Sequence, residues 1–249
     1  NRPQVRDMAD GPLTFVSRPA ALEAAVDAGR TVLTWASRTP EGLVQRAEAT
    51  GGKVLRIEDG FVRSPGLGAH FSPAYSLIFD KTGIYYDATR PSDLEKIYGA
   101  HPFHAALRAR AADVRARLVA AAISKYAVGR GARPETPRGR AKILVIGQVE
   151  DDASIRYGGA DVRTNLALLE RARALQPTAY IAYKPHPDVI RAGRPGRVAD
   201  TDALQFADAF WPGITIAAAL DWADALHTIS SAAGFEALLR GKDVHVHGH

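Results

Sequence analysis

Apolar residues in this chain fall into two patterns. Short runs of three to five mark buried strands, and stretches in which they recur every three or four positions mark helices. Residues 31–35, 53–57, 142–146, 179–183, 226–229 and 244–246 read as strands. A further short run at 13–16 reads as a strand, and 76–79 with 84–86 as a hairpin through Asp80-Lys81-Thr82-Gly83. Residues 19–28 (with Ser17 as a cap), 40–50, 93–98, 104–123, 165–175, 214–223 and 234–239 read as helices. Residues 188–212 give no clear period. Strand and helix alternate in both halves, which predicts an α/β fold with parallel sheets. Residues 126–140 are rich in Gly, Pro and Arg and have no apolar period. They read as a linker, which divides the chain into domains at 1–128 and 142–249, with 129–141 between them.

Composition narrows the classes. A length of 249 residues suits one large domain or two of ordinary size. Hydrophobic content of 46% with 24% charged residues is that of a globular protein with a real core. No apolar run is long enough to span a bilayer, and the polar residues 1–12 carry no signal-peptide pattern. Without cysteine there is no disulfide framework, thiolate metal site or thiol nucleophile, which is compatible with the cytoplasm. The net charge of +5 comes mostly from arginines, at 108, 110, 115 and 117 and at 130, 133, 138 and 140. The bland reading is a solvated helix face and a linker. The functional reading is attraction to an anionic lipid surface or a nucleotide sugar. No aromatic residues interleave with these arginines, so nucleic acid is disfavoured.

The chemistry gathers at strand ends. The 179–183 strand runs into Lys184-Pro185-His186-Pro187, and two prolines forbid further pairing. A lysine and an imidazole are therefore delivered to the carboxyl edge of a sheet, where open α/β sheets bind ligands. The 142–146 strand ends in Gly147-Gln148-Val149-Glu150-Asp151-Asp152. Ser230-Ser231 opens a helix and offers hydroxyls and amides to a phosphate, or simply caps the helix. Glu236, farther along that helix, suits a ribose diol. In the first half Glu58 and Asp59 end a strand at the corresponding place. Arg63 and Ser64 follow in a glycine-rich loop that suits a sugar carboxylate. No spacing of His, Asp and Glu matches a metal site. The alternating His245, His247 and His249 are read as structural.

The tract from Arg56 to Gly68 and the tract from Gly83 to Glu95 together resemble the capsule polysaccharide biosynthesis family. So do Gly147 to Gly158, Tyr183 to Asp188 and Ser230 to Gly241. Within that family the likeness is to KpsC-type retaining β-Kdo transferases, and it covers nearly everything from Lys53 to Gly241. The resemblance implies two Rossmann-like domains in a GT-B arrangement, with closing helices beyond His249 missing from this chain. It implies CMP-β-Kdo as donor, Kdo-primed phosphatidylglycerol as acceptor and no cofactor. By the same resemblance Asp152 is the nucleophile, with Asp151 the fallback, and Glu58 or Asp59 is the acid/base. Gln148, Lys184, His186, Pro187, Ser230, Ser231 and Glu236 fall to the CMP side. Family members often carry two modules in tandem, of which this chain resembles the second. The implied location is the cytoplasmic face of the inner membrane. An inverting sialyltransferase-like enzyme, another sugar-nucleotide enzyme and a non-catalytic CMP-sugar binding module remain as alternatives.

Overall fold

The computed structural model describes residues 2–9, 11–63, 74–125 and 138–249. Its elements in chain order are α1 (Arg2–Met8), α2 (Pro19–Asp27), β1 (Thr31–Trp35), a 3₁₀ turn (Ala36–Arg38), α3 (Leu43–Thr50), β2 (Lys53–Asp59), β3 (Leu77–Asp80), α4 (Asp93–Ala100) and α5 (Ala105–Ala120). Then come β4 (Lys142–Ile146), α6 (Ala153–Gly158), α7 (Asn165–Leu175), β5 (Tyr180–Lys184), α8 (Pro187–Arg191), α9 (Asp200–Ala203), β6 (Ala209–Phe210), α10 (Ile216–Trp222), β7 (Ala225–Thr228), α11 (Ala233–Leu239) and β8 (Asp243–Val246). Among the described residues, no helix is long and apolar enough to cross a membrane.

The described residues form two compact units, which part at Pro102 and Phe103. The sequence reading placed the break in the Gly/Pro/Arg stretch instead, of which residues 126–137 lie outside the described set. Helix α5 groups with the second unit although none of its residues is buried. An alanine-rich sequence forms a helix by propensity and leaves no apolar stripe to show which domain owns it.

The first unit holds a three-stranded sheet in the order β1-β2-β3. Strand β2 runs parallel to β1 and antiparallel to β3, so the sheet is mixed, not parallel throughout. Its core is small: Val26, Leu43 and Ala47 from α2 and α3 pack on Val32 and Val54. Helices α2 and α3 are also tied at the surface, where Arg46 reaches both Asp27 and Glu23. Two expected strands are absent. Residues 13–16 pair with no strand among the described residues, and only alternate side chains there are half-buried. The cap expected from Ser17 is also absent: Arg18 occupies the N-cap of α2 without a side-chain bond. Residues 84–86 form a turn, because Asp80 redirects the chain. Its buried carboxylate accepts the N–H groups of Thr82, Gly83 and Asp93, which closes the turn and leads into α4. That helix starts at a capping box between Ser92 and Glu95.

The second unit is a five-stranded, fully parallel sheet in the order β6-β5-β4-β7-β8. Alternate residues of β4 face opposite layers, as a strand buried on both sides requires. Ile143 and Val145 meet Leu168, Leu169 and Ala172 of α7, while Leu144 and Ile146 meet Leu220, Ala233 and Ala237 of α10 and α11. Successive strands run from β4 out to β6, and the chain then returns to lay β7 on the other side of β4. That reversal makes the carboxyl ends of β4 and its neighbours the natural crevice of the sheet. Helices α6, α8 and α9 and strand β6 gave no sequence period because each has six residues or fewer.

Candidate functional site

Three segments leave the second sheet at its carboxyl edge: Gly147-Gln148 after β4, Pro185-His186 after β5 and Ile229 to Ser231 after β7. Gly147 lies against Tyr183, whose hydroxyl would stand 2.5 Å from a Cβ at that position. Only glycine lets β4 and β5 exit this close together. The Gly147 N–H still donates to the Lys184 carbonyl at 2.9 Å, which extends the ladder by one bond.

Lys184 is 8% exposed, and no hydrogen-bond or ion-pair acceptor for its ammonium is found among the described residues. Burial, assisted by the charge of Arg191, pulls its pKa down to about 8. His186 is the N-cap of α8: its Nδ1 accepts the Asp188 N–H at 3.1 Å, and Pro187 sets the first helical position. A backbone amide can only donate, so Nδ1 carries the lone pair and the ring proton sits on Nε2. Burial lowers the His186 pKa, opposed by Asp188 and Asp152, and the ring is neutral and a donor at pH 7. Lys184, Lys125 and Asp152 all lie within electrostatic reach of it.

Asp152 is exposed and caps α6. Its Oδ1 accepts the Ser154 N–H at 2.9 Å and the Ser154 hydroxyl at 2.8 Å, which fixes the carboxylate and leaves Oδ2 outward. Asp151 points elsewhere, into a surface pair with Arg194 at 2.6 Å.

Gln148 is held on every side. Its Oε1 accepts the Ser230 N–H at 2.9 Å and the Thr228 hydroxyl at 3.2 Å, and its Nε2 donates to Ser230 Oγ at 3.3 Å. The Ser230 hydroxyl donates to the Ser154 carbonyl at 3.1 Å. The Ser231 N–H donates to Thr228 Oγ1 at 3.1 Å, and Ser231 Oγ accepts the Ala233 N–H at 3.2 Å. Both serine amides are thus engaged within the fold, and the Ser231 hydroxyl proton is the group still available. Glu236 is 5% exposed; its Oε1 accepts the Lys125 N–H at 2.8 Å, and its Oε2 is buried without a partner. Burial raises its pKa.

In the first unit, Asp59 Oδ2 accepts from Arg63 Nε at 2.5 Å, and Oδ1 is buried without a partner among the described residues. Glu58 Oε1 accepts the Asp59 N–H at 3.0 Å. Arg63 is buried. Ser64, the neighbour expected to bind with it, lies outside the described residues.

Sequence reasoning missed four residues here. Asn165 opens α7, is fully buried and brackets Gln148: its Oδ1 accepts the Gln148 N–H and its Nδ2 donates to the Gln148 carbonyl, each at 2.8 Å. Thr228 and Lys125 join the network through the bonds given above. His227 is the fourth. It is buried, stacks on His245 and His247, and burial among these rings drives its pKa down to about 3. Nothing local marks any of them, since their partners lie 17 to 111 positions away.

The chain is similar to several known proteins. It is 43% identical over 217 residues to the "Capsule polysaccharide modification protein LipA" of Neisseria meningitidis, and 39% identical over 197 residues to the "Lipopolysaccharide-processing protein LpsZ" of Rhizobium meliloti. These alignments cover 87% and 78% of this chain but only 31% and 45% of the two relatives. Two solved structures of Thermosulfurimonas dismutans KpsC share the fold. One, described as a beta Kdo 2,7 transferase, has a TM-score of 0.74 and 34% identity and covers 99% of this chain and 73% of that one. The other, described as a beta Kdo 2,4 transferase, has a TM-score of 0.73 and 32% identity, covering 88% and 68%. The family model for capsule polysaccharide biosynthesis protein matches residues 30–127 and 98–249, and the chain belongs to that family.

Proposed function

We propose that this chain is a retaining β-Kdo transferase module of capsule polysaccharide synthesis that uses CMP-β-Kdo. The observation that carries the reading is Lys184. A buried ammonium without a carboxylate is costly to a fold, and one at the carboxyl edge of a parallel sheet suits a site for an anion. A phosphate monoester answers that charge. His186 adds a neutral Nε2–H donor beside it, and Ser231 adds a hydroxyl. The KpsC structures described as β-Kdo transferases supply the sugar class. They also support a GT-B arrangement for this chain.

In this mechanism Asp152 Oδ2 attacks the anomeric carbon of Kdo as the bond to the CMP phosphate oxygen breaks. The bonding pair leaves with the phosphate, whose growing charge Lys184 and His186 stabilise. An acceptor hydroxyl then attacks the same carbon and releases the Asp152 carboxylate. Two inversions give retention. The acceptor proton passes to a carboxylate of the first unit, for which Asp59, with its unpartnered Oδ1, is the better candidate and Glu58 the other. Gln148, Ser230 and Glu236 shape the site, while Arg63 and Ser64 are assigned to the acceptor's carboxylate.

The acceptor in this reading is a Kdo-primed phosphatidylglycerol at the inner face of the cytoplasmic membrane. The exposed arginines 108, 110, 115 and 117 of α5 support peripheral attachment to anionic lipid there. A second tandem module fits the short coverage of the relatives.

The test is incubation with CMP-β-Kdo and a synthetic Kdo-primed lipid. Expected outcomes are a β-linked product by NMR of the new anomeric centre and, without acceptor, a protein heavier by one Kdo residue. An α-linked product would indicate an inverting enzyme, and CMP binding without turnover would indicate a binding module. Either result overturns the proposal.

A further inference from the structure

We propose that Gln148 is a positioning residue rather than a nucleotide ligand: its side-chain amide braces the end of β4 against the end of β7, leaving Ser231 as the serine that meets the donor. The inference rests on the transferase reading above. Gln148 is 5% exposed, and both acceptor positions of Oε1 are filled, by Ser230 N–H and Thr228 O–H. The Ser230 amide can only donate, so the oxygen must face it and the orientation of the Gln148 amide is fixed. Its main chain is equally committed, to the two polar ends of the Asn165 side chain. Asn165 is itself saturated: Nδ2 also donates to the Gly196 carbonyl at 2.7 Å, and its own N–H donates to Glu150 at 2.7 Å. Gly196, at φ +113°, comes so close that a Cβ would stand 2.7 Å from both the Gln148 carbonyl and Asn165 Nδ2.

The brace spans the point where the strand order reverses, the one place in a parallel sheet where adjacent strand ends diverge. Without it, β4 and β7 are joined only by their ladder from Ile143 to Val145, and the Ser230-Ser231 turn has nothing to register it. The brace engages both the amide and the hydroxyl of Ser230. Ser231 keeps a hydroxyl proton that no acceptor takes among the described residues. The two serines, alike in sequence, therefore have different roles.

The test begins with nucleotide-free protein, where no ligand role can contribute. In Gln148→Ala, exchange of the Ser230 amide measured by NMR should accelerate about tenfold, the loss of one buried bond. Gln148→Glu keeps the acceptor oxygen and should restore protection. In turnover assays Gln148→Ala should raise KM for the donor with little change in kcat, because the turn is displaced while the reacting groups are kept. Unchanged Ser230 exchange in Gln148→Ala, with KM raised, would make Gln148 a direct ligand and overturn the proposal. If Gln148→Ala fails to fold, Thr228→Val removes one arm of the brace without a cavity and should expose the Ser231 amide; unchanged exchange there would overturn the proposal equally. The exchange result stands whether or not wild-type protein binds CMP, so failure of the transferase reading is seen separately.

Discussion

Strands β4 and β5 are neighbours in one sheet, pair in register from Lys142 with Tyr180 to Ile146 with Lys184, and end at the same edge. Yet the two ends are built on opposite principles. After β4, Gln148 makes three side-chain and two main-chain hydrogen bonds, all within the protein. After β5, Lys184 is as deeply buried and has no counter-charge. A saturated polar group rigidifies its surroundings, whereas an unsatisfied buried charge weakens the fold unless a ligand completes it. The contrast separates framework from binding group where composition alone does not.

The largest expected effect lies just beyond the framework side, at Asp152. Asp152→Asn keeps a good capping side chain and should leave the fold and CMP affinity nearly unchanged. As loss of a nucleophile it should lower kcat by at least about 10³-fold and abolish the covalent Kdo adduct in intact-mass spectra. Retained turnover would reduce Asp152 to a cap.

Lys184→Met comes next and should act in two opposite directions. CMP affinity by calorimetry should fall about 10- to 100-fold, the range for a charge-assisted hydrogen bond. The free energy of unfolding at pH 7 should rise by about 1–3 kcal/mol, because a buried charge has been removed. The lysine titrates at about 8 in the folded protein against an ordinary 10.5. Below pH 8 both states hold the proton and the cost of burial is full. Between 8 and 10.5 the unfolded chain binds a proton that the folded one does not, so wild-type stability should climb with pH. The variant should lose that slope.

The smallest effect compares the serines. Ser231→Ala should weaken CMP binding about fivefold, one neutral hydrogen bond, and leave stability unchanged. Ser230→Ala should instead lower the unfolding free energy, since it leaves the Gln148 Nε2–H and the Ser154 carbonyl unpaired. Equal behaviour of the two would erase the distinction drawn from the brace.

Much of the second unit was legible in the chain. Residues 142–146 and 165–175 were read to the residue, because a strand buried on both faces and a helix with a Thr164 cap leave strong local patterns. Lys184 and His186 were legible for a related reason: prolines on either side of His186 force a strand to end there. The first unit was read less well. Residues 13–16 have the composition of a strand but find no ladder, and 84–86 lost their partner to the Asp80 turn. Short helices such as α6 and α8 depend on caps from Asp152 and His186, so a residue read for chemistry was also holding local structure. Gln148 was noticed as a site residue. Its framework role was invisible, because Thr228 and Ser230 are 80 and 82 positions away.

The most direct measurement is a calorimetric titration of CMP into wild-type protein and Lys184→Met across pH 6.5 to 9.5. Wild-type binding should weaken as pH rises through the lysine's titration, while the variant binds weakly and without pH dependence over the same alkaline range. Undiminished affinity in the variant, or a wild-type affinity that ignores pH above 8, would contradict the assignment of Lys184 to the donor phosphate.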